Sequence, residues 1–387
     1  MAMREAGYEG RIVLIGDERW RPYERPPLSK AMLTDEPEPP IAYFHPAKRY
    51  EERRIELLLS TEVSELDPLA HCIWLSDGQR LDYDRLLLTV GGRARHLPIP
   101  GGGKALYLRT IEDARRIRTR LATARNAVCI GAGVIGLEIA SSIRQRGGQV
   151  TVLEALPHAM GRSVSPEGAQ FVETMHRDAG VAMHFSVIVD GIQDGVDGSM
   201  RVFCRDGSEF AGDMVIAGVG MLRNLELAEH AGLALEGGIV VDEFGRTSAP
   251  DIYAAGDITA FHHPLFGRRL RLESWRHAQN QGIAVGKAMC GVNTPYDDVP
   301  WFWTDQYGVN LQVAGLPADA DRTIVRTNAP GIFTAVHLAA GGRVVGVTAA
   351  NNPREIRAGQ AMIRAKFSAD PKTLADADVP LQRLVGR

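Results

Sequence analysis

Residues 128–138 read Val-Cys-Ile-Gly-Ala-Gly-Val-Ile-Gly-Leu-Glu, and the run Val150-Thr151-Val152-Leu153-Glu154 follows them. Together these segments predict a strand, a glycine turn, a helix over residues 134–146 and a second strand closed by an acid. Gly131 permits the tight turn, Gly133 lets the backbone approach a pyrophosphate, and Gly136 lets the helix pack close to the sheet. The helix N-terminus offers unpaired N–H groups and a positive dipole end to phosphates. Glu154 stands where a carboxylate accepts hydrogen bonds from the adenine ribose hydroxyls. It favours NADH over NADPH, because a 2′-phosphate would meet a like charge and no basic residue follows at Ala155, Leu156 or Pro157. The segment predicts a dinucleotide site.

The fingerprint lies a third of the way into the chain, and what precedes it resembles part of another nucleotide-binding unit. Arg11-Ile12-Val13-Leu14-Ile15-Gly16-Asp17 has the pattern of a buried second strand ending in a ribose-binding acid. Residues 1–10 read as the last turn of a helix with a glycine stop. The chain is therefore expected to begin inside a nucleotide-binding unit, with the strand Ile12 to Ile15 short of a neighbour and presenting an apolar edge.

At 387 residues the chain has room for two or three domains. A net charge of −3 argues against a nucleic-acid partner. There is no signal-peptide pattern and no apolar run of bilayer-spanning length, so no membrane is expected and the cytoplasm is the default location. Cys72, Cys129, Cys204 and Cys290 have no metal-ligand spacing and no close pair, so neither a metal nor a redox disulfide is expected.

Further along, the prolines of Trp20-Arg21-Pro22-Tyr23-Glu24-Arg25-Pro26-Pro27-Leu28-Ser29-Lys30 predict a rigid loop running into a short helix. Leu86-Leu87-Leu88-Thr89-Val90 reads as a buried strand ending at glycines, and Met214-Val215-Ile216-Ala217 mirrors it. An Arg-rich amphipathic helix is expected over residues 111–125, and antiparallel strands and turns over 181–203. Strand patterns also cover Ile239-Val240-Val241 and Ile252-Tyr253-Ala254. From Tyr296 onward an aromatic cluster precedes alternating strands (310–313, 323–325, 332–337, 343–348) and a helix over 353–367. This last third reads as a separate α+β domain.

These residues carry a specific resemblance. Arg25-Pro26-Pro27-Leu28-Ser29-Lys30, Arg109-Thr110-Ile111-Glu112-Asp113-Ala114, residues 131–138, residues 252–257, Glu273-Ser274-Trp275 and Pro300-Trp301-Phe302-Trp303-Thr304-Asp305-Gln306 occur in order along the whole chain. The sequence resembles the FAD-dependent ferredoxin reductases of bacterial ring-hydroxylating dioxygenase and haem monooxygenase systems, a branch of the glutathione-reductase-like flavoproteins. That resemblance implies an α/β fold with two nested Rossmann-like dinucleotide-binding domains and a C-terminal α+β domain. The FAD-binding domain would be discontinuous (1–102 and 218–294), the NAD-binding domain would cover 103–217, and the C-terminal domain 295–387.

It also implies roles. Asp17 would hold the adenine-side ribose of FAD, Arg25 its pyrophosphate and Val63, through backbone, its adenine. Lys30 and Arg109 would lie near the flavin, Asp257 would bind the ribityl hydroxyls, and Trp275 would offer backbone to the pyrimidine end. Gly131, Gly133, Val134, Ile135, Gly136, Glu154 and Gly220 would line the NAD site. Glu138 would pair with Lys30, the two being catalytic by tuning and gating, although a surface salt bridge is the bland alternative. The sequence departs from the family in lacking its N-terminal FAD glycine turn, in Thr89-Val90-Gly91 where Ala-Thr-Gly is usual, and in Arg223 for a common proline. The first departure leads to the expectation that the chain holds FAD poorly.

The implied activity is NADH-dependent reduction of a 2Fe–2S ferredoxin, Rieske- or plant-type, through FAD, by a monomer or homodimer. An NADH oxidase or rubredoxin reductase is the alternative enzyme, and a flavin-less NAD-binding scaffold or sensor the alternative from another class. Arg268, Arg269 and Arg271, expected on a loop leading to Trp275, are candidates for meeting an acidic ferredoxin. Trp301 and Trp303 read as core of the last domain in preference to docking aromatics.

Overall fold

The structure, a computed structural model, describes residues 1–196 and 198–385. It divides into two compact units, one of residues 1–24, 40–93 and 222–298, the other of residues 25–39, 94–221 and 299–387.

The second unit contains a four-stranded parallel sheet in the order Ala182–Phe185, Gln149–Glu154, Asn126–Ile130, Met214–Ala217. Every residue of Met214–Ala217 is buried, as a parallel strand covered on both faces requires. The helix Val134–Gln145 matches its expected span and connects Asn126–Ile130 to Gln149–Glu154. Ile111–Leu121 is shorter than its pattern suggested. It starts at a capping box between Thr110 and Asp113. It stops early because the Asp213 carboxylate takes the N–H groups of Arg125 (2.6 Å) and Asn126 (2.8 Å), drawing the chain into the next strand.

Ala182–Phe185 is not part of an antiparallel meander; it joins the parallel sheet in register with Thr151 to Glu154. Within the predicted stretch the strands Val189–Asp194 and Met200–Cys204 do pair antiparallel, and Glu209–Gly212 continues their sheet. The helix Pro166–Asp178 supplies the crossover that a parallel neighbour needs.

The same unit carries a five-stranded antiparallel sheet, Trp301–Gln306, Val309–Gly315, Val344–Ala350, Ile332–Leu338, Arg322–Ala329 in spatial order. The helix Pro353–Arg364 packs on it through Ile356, Met362 and Ile363. The α+β reading of this region holds. However, Trp301 and Trp303 are not core: alternation places Thr304 and Gln306 inward, both buried, while the two indoles stay half-buried and stack on each other at 5.3 Å.

In the first unit, Ile12–Ile15 pairs in parallel with Ile55–Leu58, and Leu86–Leu88 with Ile252–Ala254. The helix Trp275–Ala288 lies under the short N-terminal helix Ala2–Glu5, where Gly286 faces Ala2 and Met3. Ile12–Ile15 has one strand neighbour, no fully buried residue, and a Leu14 that is 37 % exposed. Arg268 and Arg269 are on the strand Arg268–Leu270, paired antiparallel with Thr259–His263, and not on a loop. The Phe266–Gly267 turn closes that hairpin with bonds back to His263. Among the described residues no helix is long and apolar enough to cross a membrane, and no cluster of three His, Cys, Asp or Glu could hold a metal.

Candidate active site and dinucleotide site

The glycine turn in the second unit has the geometry its sequence predicts. Gly131 sits at φ +100°, and a Cβ there would be 2.5 Å from the Gly218 carbonyl oxygen. A Cβ at Gly136 would collide with the Gly131 carbonyl oxygen, and one at Gly133 would only approach Gly218 O at 3.8 Å. Gly131 and Gly136 are therefore fixed by close backbone approach, and Gly133 keeps the surface before the helix low. Gly133 caps a helix whose first N–H groups, on Val134, Ile135 and Gly136, precede the first intrahelical bond from Leu137 N to Gly133 O.

Glu154 ends its strand directly beside this turn. One carboxylate oxygen accepts from Ala132 N at 2.7 Å and the other from Leu156 N at 2.8 Å. The acid is thus pre-oriented by backbone donors and half-buried. Gly220, at φ +104°, follows the strand Met214–Ala217, and its carbonyl accepts from Arg95 N at 3.0 Å. Helix N-terminus, low glycine surface and fixed acid fit a dinucleotide on this chain's own geometry.

The second cluster in this unit surrounds Glu138, on the same helix and 3 % exposed. Lys30 Nζ lies 2.8 Å from Glu138 Oε1, with its side chain 22 % exposed. Thr304 donates to the same oxygen at 2.7 Å, and Ser29 donates to Oε2. Ser142 Oγ also donates to Ser29 O at 2.6 Å, fastening residues 26–30 to the helix. With Glu138 buried, Lys30 half-buried and Lys30 Nζ also donating to Pro26 O at 3.2 Å, the pair is not a surface salt bridge. Arg25 and Arg109 also meet, Arg25 Nη1 donating to Arg109 O at 2.7 Å.

In the first unit Asp17 follows the parallel strand Ile12–Ile15, and Asp257 follows the parallel strand Ile252–Ala254. Carboxyl ends of parallel strands are where α/β sheets bind nucleotides. Asp17 is exposed and Asp257 half-buried. Gly256, at φ +83°, donates its N–H to Gln281 at 2.7 Å, which shapes the turn presenting Asp257. Trp275 opens a helix capped by Ser274, and its ring stacks on Phe44 with centroids 6.2 Å apart. Val63 begins the strand Val63–Asp67. Acids at the ends of parallel strands suit a polyhydroxylated cofactor, so Asp17 and Asp257 fit FAD.

A sequence profile described as pyridine nucleotide-disulphide oxidoreductase matches residues 1–282. The chain belongs to this family. A reductase C-terminal profile matches residues 301–385. Putidaredoxin reductase of Pseudomonas putida is 38 % identical over 99 % of this chain and 92 % of its own length. The ferredoxin–NAD(+) reductase component of the Burkholderia cepacia anthranilate 1,2-dioxygenase system is 37 % identical over 98 % of this chain and 94 % of its own. The crystal structure of the covalent putidaredoxin reductase–putidaredoxin complex superposes with a TM-score of 0.93 at 38 % identity, covering 100 % of this chain and 94 % of the other.

The family name mentions a disulphide, yet this member's four cysteines are all free thiols. Cys129 is fully buried and its thiol is pushed up to about 12 by desolvation, so it is inert as a nucleophile. Two features of the site were given no role from sequence: Thr304 and Gln306 stood in the motif of residues 300–306 without a role, and Arg223 stood as a replacement of a common proline. In the structure Arg223 Nε donates to Asp257 O at 2.7 Å and its guanidinium pairs with Glu273. It therefore joins the Asp257 turn to the segment before Trp275. Among the sequence signals, only the departure from proline marked the position.

Proposed function

We propose that this protein is an NADH-dependent flavoprotein reductase that passes electrons through FAD to a 2Fe–2S ferredoxin of an oxygenase system. The observation that carries the reading is the glycine turn and helix start of residues 131–136: Glu154 is fixed beside them, and the same helix carries the buried Glu138 that pairs with Lys30. Bound FAD supplies a hydride acceptor that can release electrons singly. The protein's part is placement: Val134 and Ile135 N–H groups face the dinucleotide phosphates, and Glu154 takes the adenine ribose. Lys30, held by Glu138, sets the charge near the flavin, with Arg109 close by. In the first unit Asp17, Val63, Asp257 and Trp275 are assigned to the FAD; in the second, Arg25 is assigned to a pyrophosphate and Gly220 to the border of the nicotinamide nucleotide. We assign residues 1–102 and 218–294 to FAD, 103–217 to NAD and 295–387 to the C-terminal domain. Four free thiols suit a reducing compartment, the cytoplasm.

The test uses the purified full chain with FAD. Against the poor FAD retention expected from sequence, the protein should be yellow; NADH should bleach the flavin band anaerobically, and added 2Fe–2S ferredoxin should be reduced. A protein that takes up no flavin while binding NADH would overturn the reading in favour of a scaffold. Rapid oxygen consumption with no ferredoxin reduction would favour an NADH oxidase.

Glu154 yields a direct prediction about cofactor choice. Glu154→Arg removes two backbone hydrogen bonds and the ribose acceptor, so NADH kcat/KM should fall by roughly tenfold or more while NADPH use improves. Comparable kcat/KM for NADH and NADPH in the unaltered protein would contradict the assignment.

For the ferredoxin we propose a surface that includes Arg268, Arg269 and Arg271, all exposed. Arg269 is paired with Glu236, which lowers its share of the field. Replacing all three with Ala should slow ferredoxin reduction at low salt and spare NADH-to-dye transfer, because exposed charges act mainly on encounter rate. Equal loss in both assays would show that the arginines serve the fold instead.

A further inference from the structure

The Glu138 carboxylate is the end point of a buried chain of side chains that extends well beyond Lys30. Thr304 Oγ1 lies 2.7 Å from Glu138 Oε1, Gln306 Nε2 2.9 Å from Thr304 Oγ1, and His176 Nε2 2.6 Å from Gln306 Oε1. Tyr307 Oη is 3.2 Å from His176 Nδ1. His176, Gln306, Thr304 and Glu138 are 0 %, 2 %, 1 % and 3 % exposed.

Chemistry fixes the direction of every bond. A carboxylate only accepts, so Thr304 must donate to it and use its oxygen to accept from the Gln306 amide N–H. The Gln306 carbonyl then faces His176, whose Nε2 must carry the proton. Nδ1 is left bare and accepts from the Tyr307 hydroxyl. Burial lowers His176 to about 4, so it is neutral as this pattern requires, and burial pushes the Tyr307 phenol up, so it stays a donor. Tyr307 is tied in turn to the helix of Glu138, its N–H donating to Ser141 Oγ at 3.1 Å. All four bonds point toward the acid, an arrangement in which each bond polarises the next.

We propose that Thr304, Gln306 and His176 are positioning residues for Glu138, and through it for Lys30: a one-way hydrogen-bond chain that holds the carboxylate in one orientation. The polarity of the chain stands on geometry alone; what it does for electron transfer rests on the reductase reading above. Without the Thr304 donor, Glu138 Oε1 keeps only Lys30 while Ser29 still holds Oε2, so the carboxylate is free to pivot about the Ser29 bond and carry Lys30 with it.

The experiment uses the full chain labelled with 15N-histidine and 15N-lysine. His176, assigned by its loss in His176→Gln, should be the Nε2–H tautomer and stay so from about pH 6 to about pH 8. The Lys30 ammonium signal should be protected in the parent and broadened in Thr304→Val. With FAD bound, NADH-driven flavin reduction should slow by about tenfold in Thr304→Val and Gln306→Leu, one charge-assisted bond being of that size. The Kd for NADH should be unchanged, and Thr304→Ser should restore the rate. An Nδ1–H or cationic His176, parent-like Lys30 exchange in Thr304→Val, or a Thr304→Ser as slow as Thr304→Val would overturn the proposal. If no NADH-reducible flavin forms, the reductase reading fails, and the imidazole and ammonium signals still decide the chain.

Discussion

Replacing Gly131 with alanine is expected to weaken NADH binding by about a hundredfold, a loss of roughly 3 kcal/mol. Two effects add. The residue has φ +100°, which an L side chain adopts only under strain of about 1–3 kcal/mol. The added Cβ would also stand 2.5 Å from Gly218 O and 3.0 Å from Gly218 C, both backbone atoms that cannot rotate away. Relief comes by moving the turn, and the turn sets where the Val134 and Ile135 N–H groups point. Gly147→Ala is the control. Gly147, at φ +82° beyond the other end of the same helix, has open space around its Cβ position. That variant should lose about 1 kcal/mol of stability and bind NADH normally. A fluorescence or calorimetric titration of both variants checks this, and a Gly131→Ala within about threefold of the parent Kd would show that the turn does not shape the site.

Glu138→Leu is expected to be the most damaging change on the catalytic side. Glu138 is 3 % exposed and receives Lys30, Thr304 and Ser29. Leucine removes the counter-charge of the ammonium and the acceptor of Thr304, leaving Lys30 and Ser29 only the Pro26 carbonyl, at 3.2 and 3.4 Å. Removing one partner of a buried pair costs roughly 3–5 kcal/mol. The lower figure applies here, because Lys30 is 22 % exposed and can turn to water. Flavin reduction by NADH should fall by roughly a hundredfold, the scale of losing one preorganised electrostatic group. Glu138→Gln keeps the shape but has a single amide oxygen, so it can accept from Thr304 or from Ser29 and not from both; it should recover part of the stability and little of the rate. Denaturant unfolding beside stopped-flow reduction separates the two effects. A Glu138→Leu as stable as the parent within about 0.5 kcal/mol would show that the pair behaves as an ordinary surface ion pair.

Local signals decided what was legible from sequence. The turn at Gly131, the helix beginning at Val134 and the strand ending at Glu154 follow from backbone freedom and hydrophobic period, and the structure has them in place. Arg25, Lys30 and Glu138 were found by their motifs, but burial of the pair was not in the residues themselves. Trp301 and Trp303 drew attention as large aromatics, yet strand alternation turned their smaller neighbours Thr304 and Gln306 inward. Placing Arg268 and Arg269 on a loop failed because a hairpin turn at residues 263–267 gave them a partner strand.

The sequence by itself determined the nucleotide-binding turn, the acid that ends the second strand, the absence of a close thiol pair and the α+β character of the last third. Each depends on residues within a few positions of one another, where φ, spacing and propensity act directly. Tertiary structure alone decided that Ala182–Phe185 joins the parallel sheet, that Arg223 reaches Asp257, and that Tyr307, His176, Gln306 and Thr304 line up on Glu138. His176 and Gln306 are 130 residues apart, and Thr304 and Glu138 166. No local propensity encodes such a meeting. It follows from how sheets and helices bury their apolar faces, after which a buried polar group must take whatever partner the packing has brought within reach.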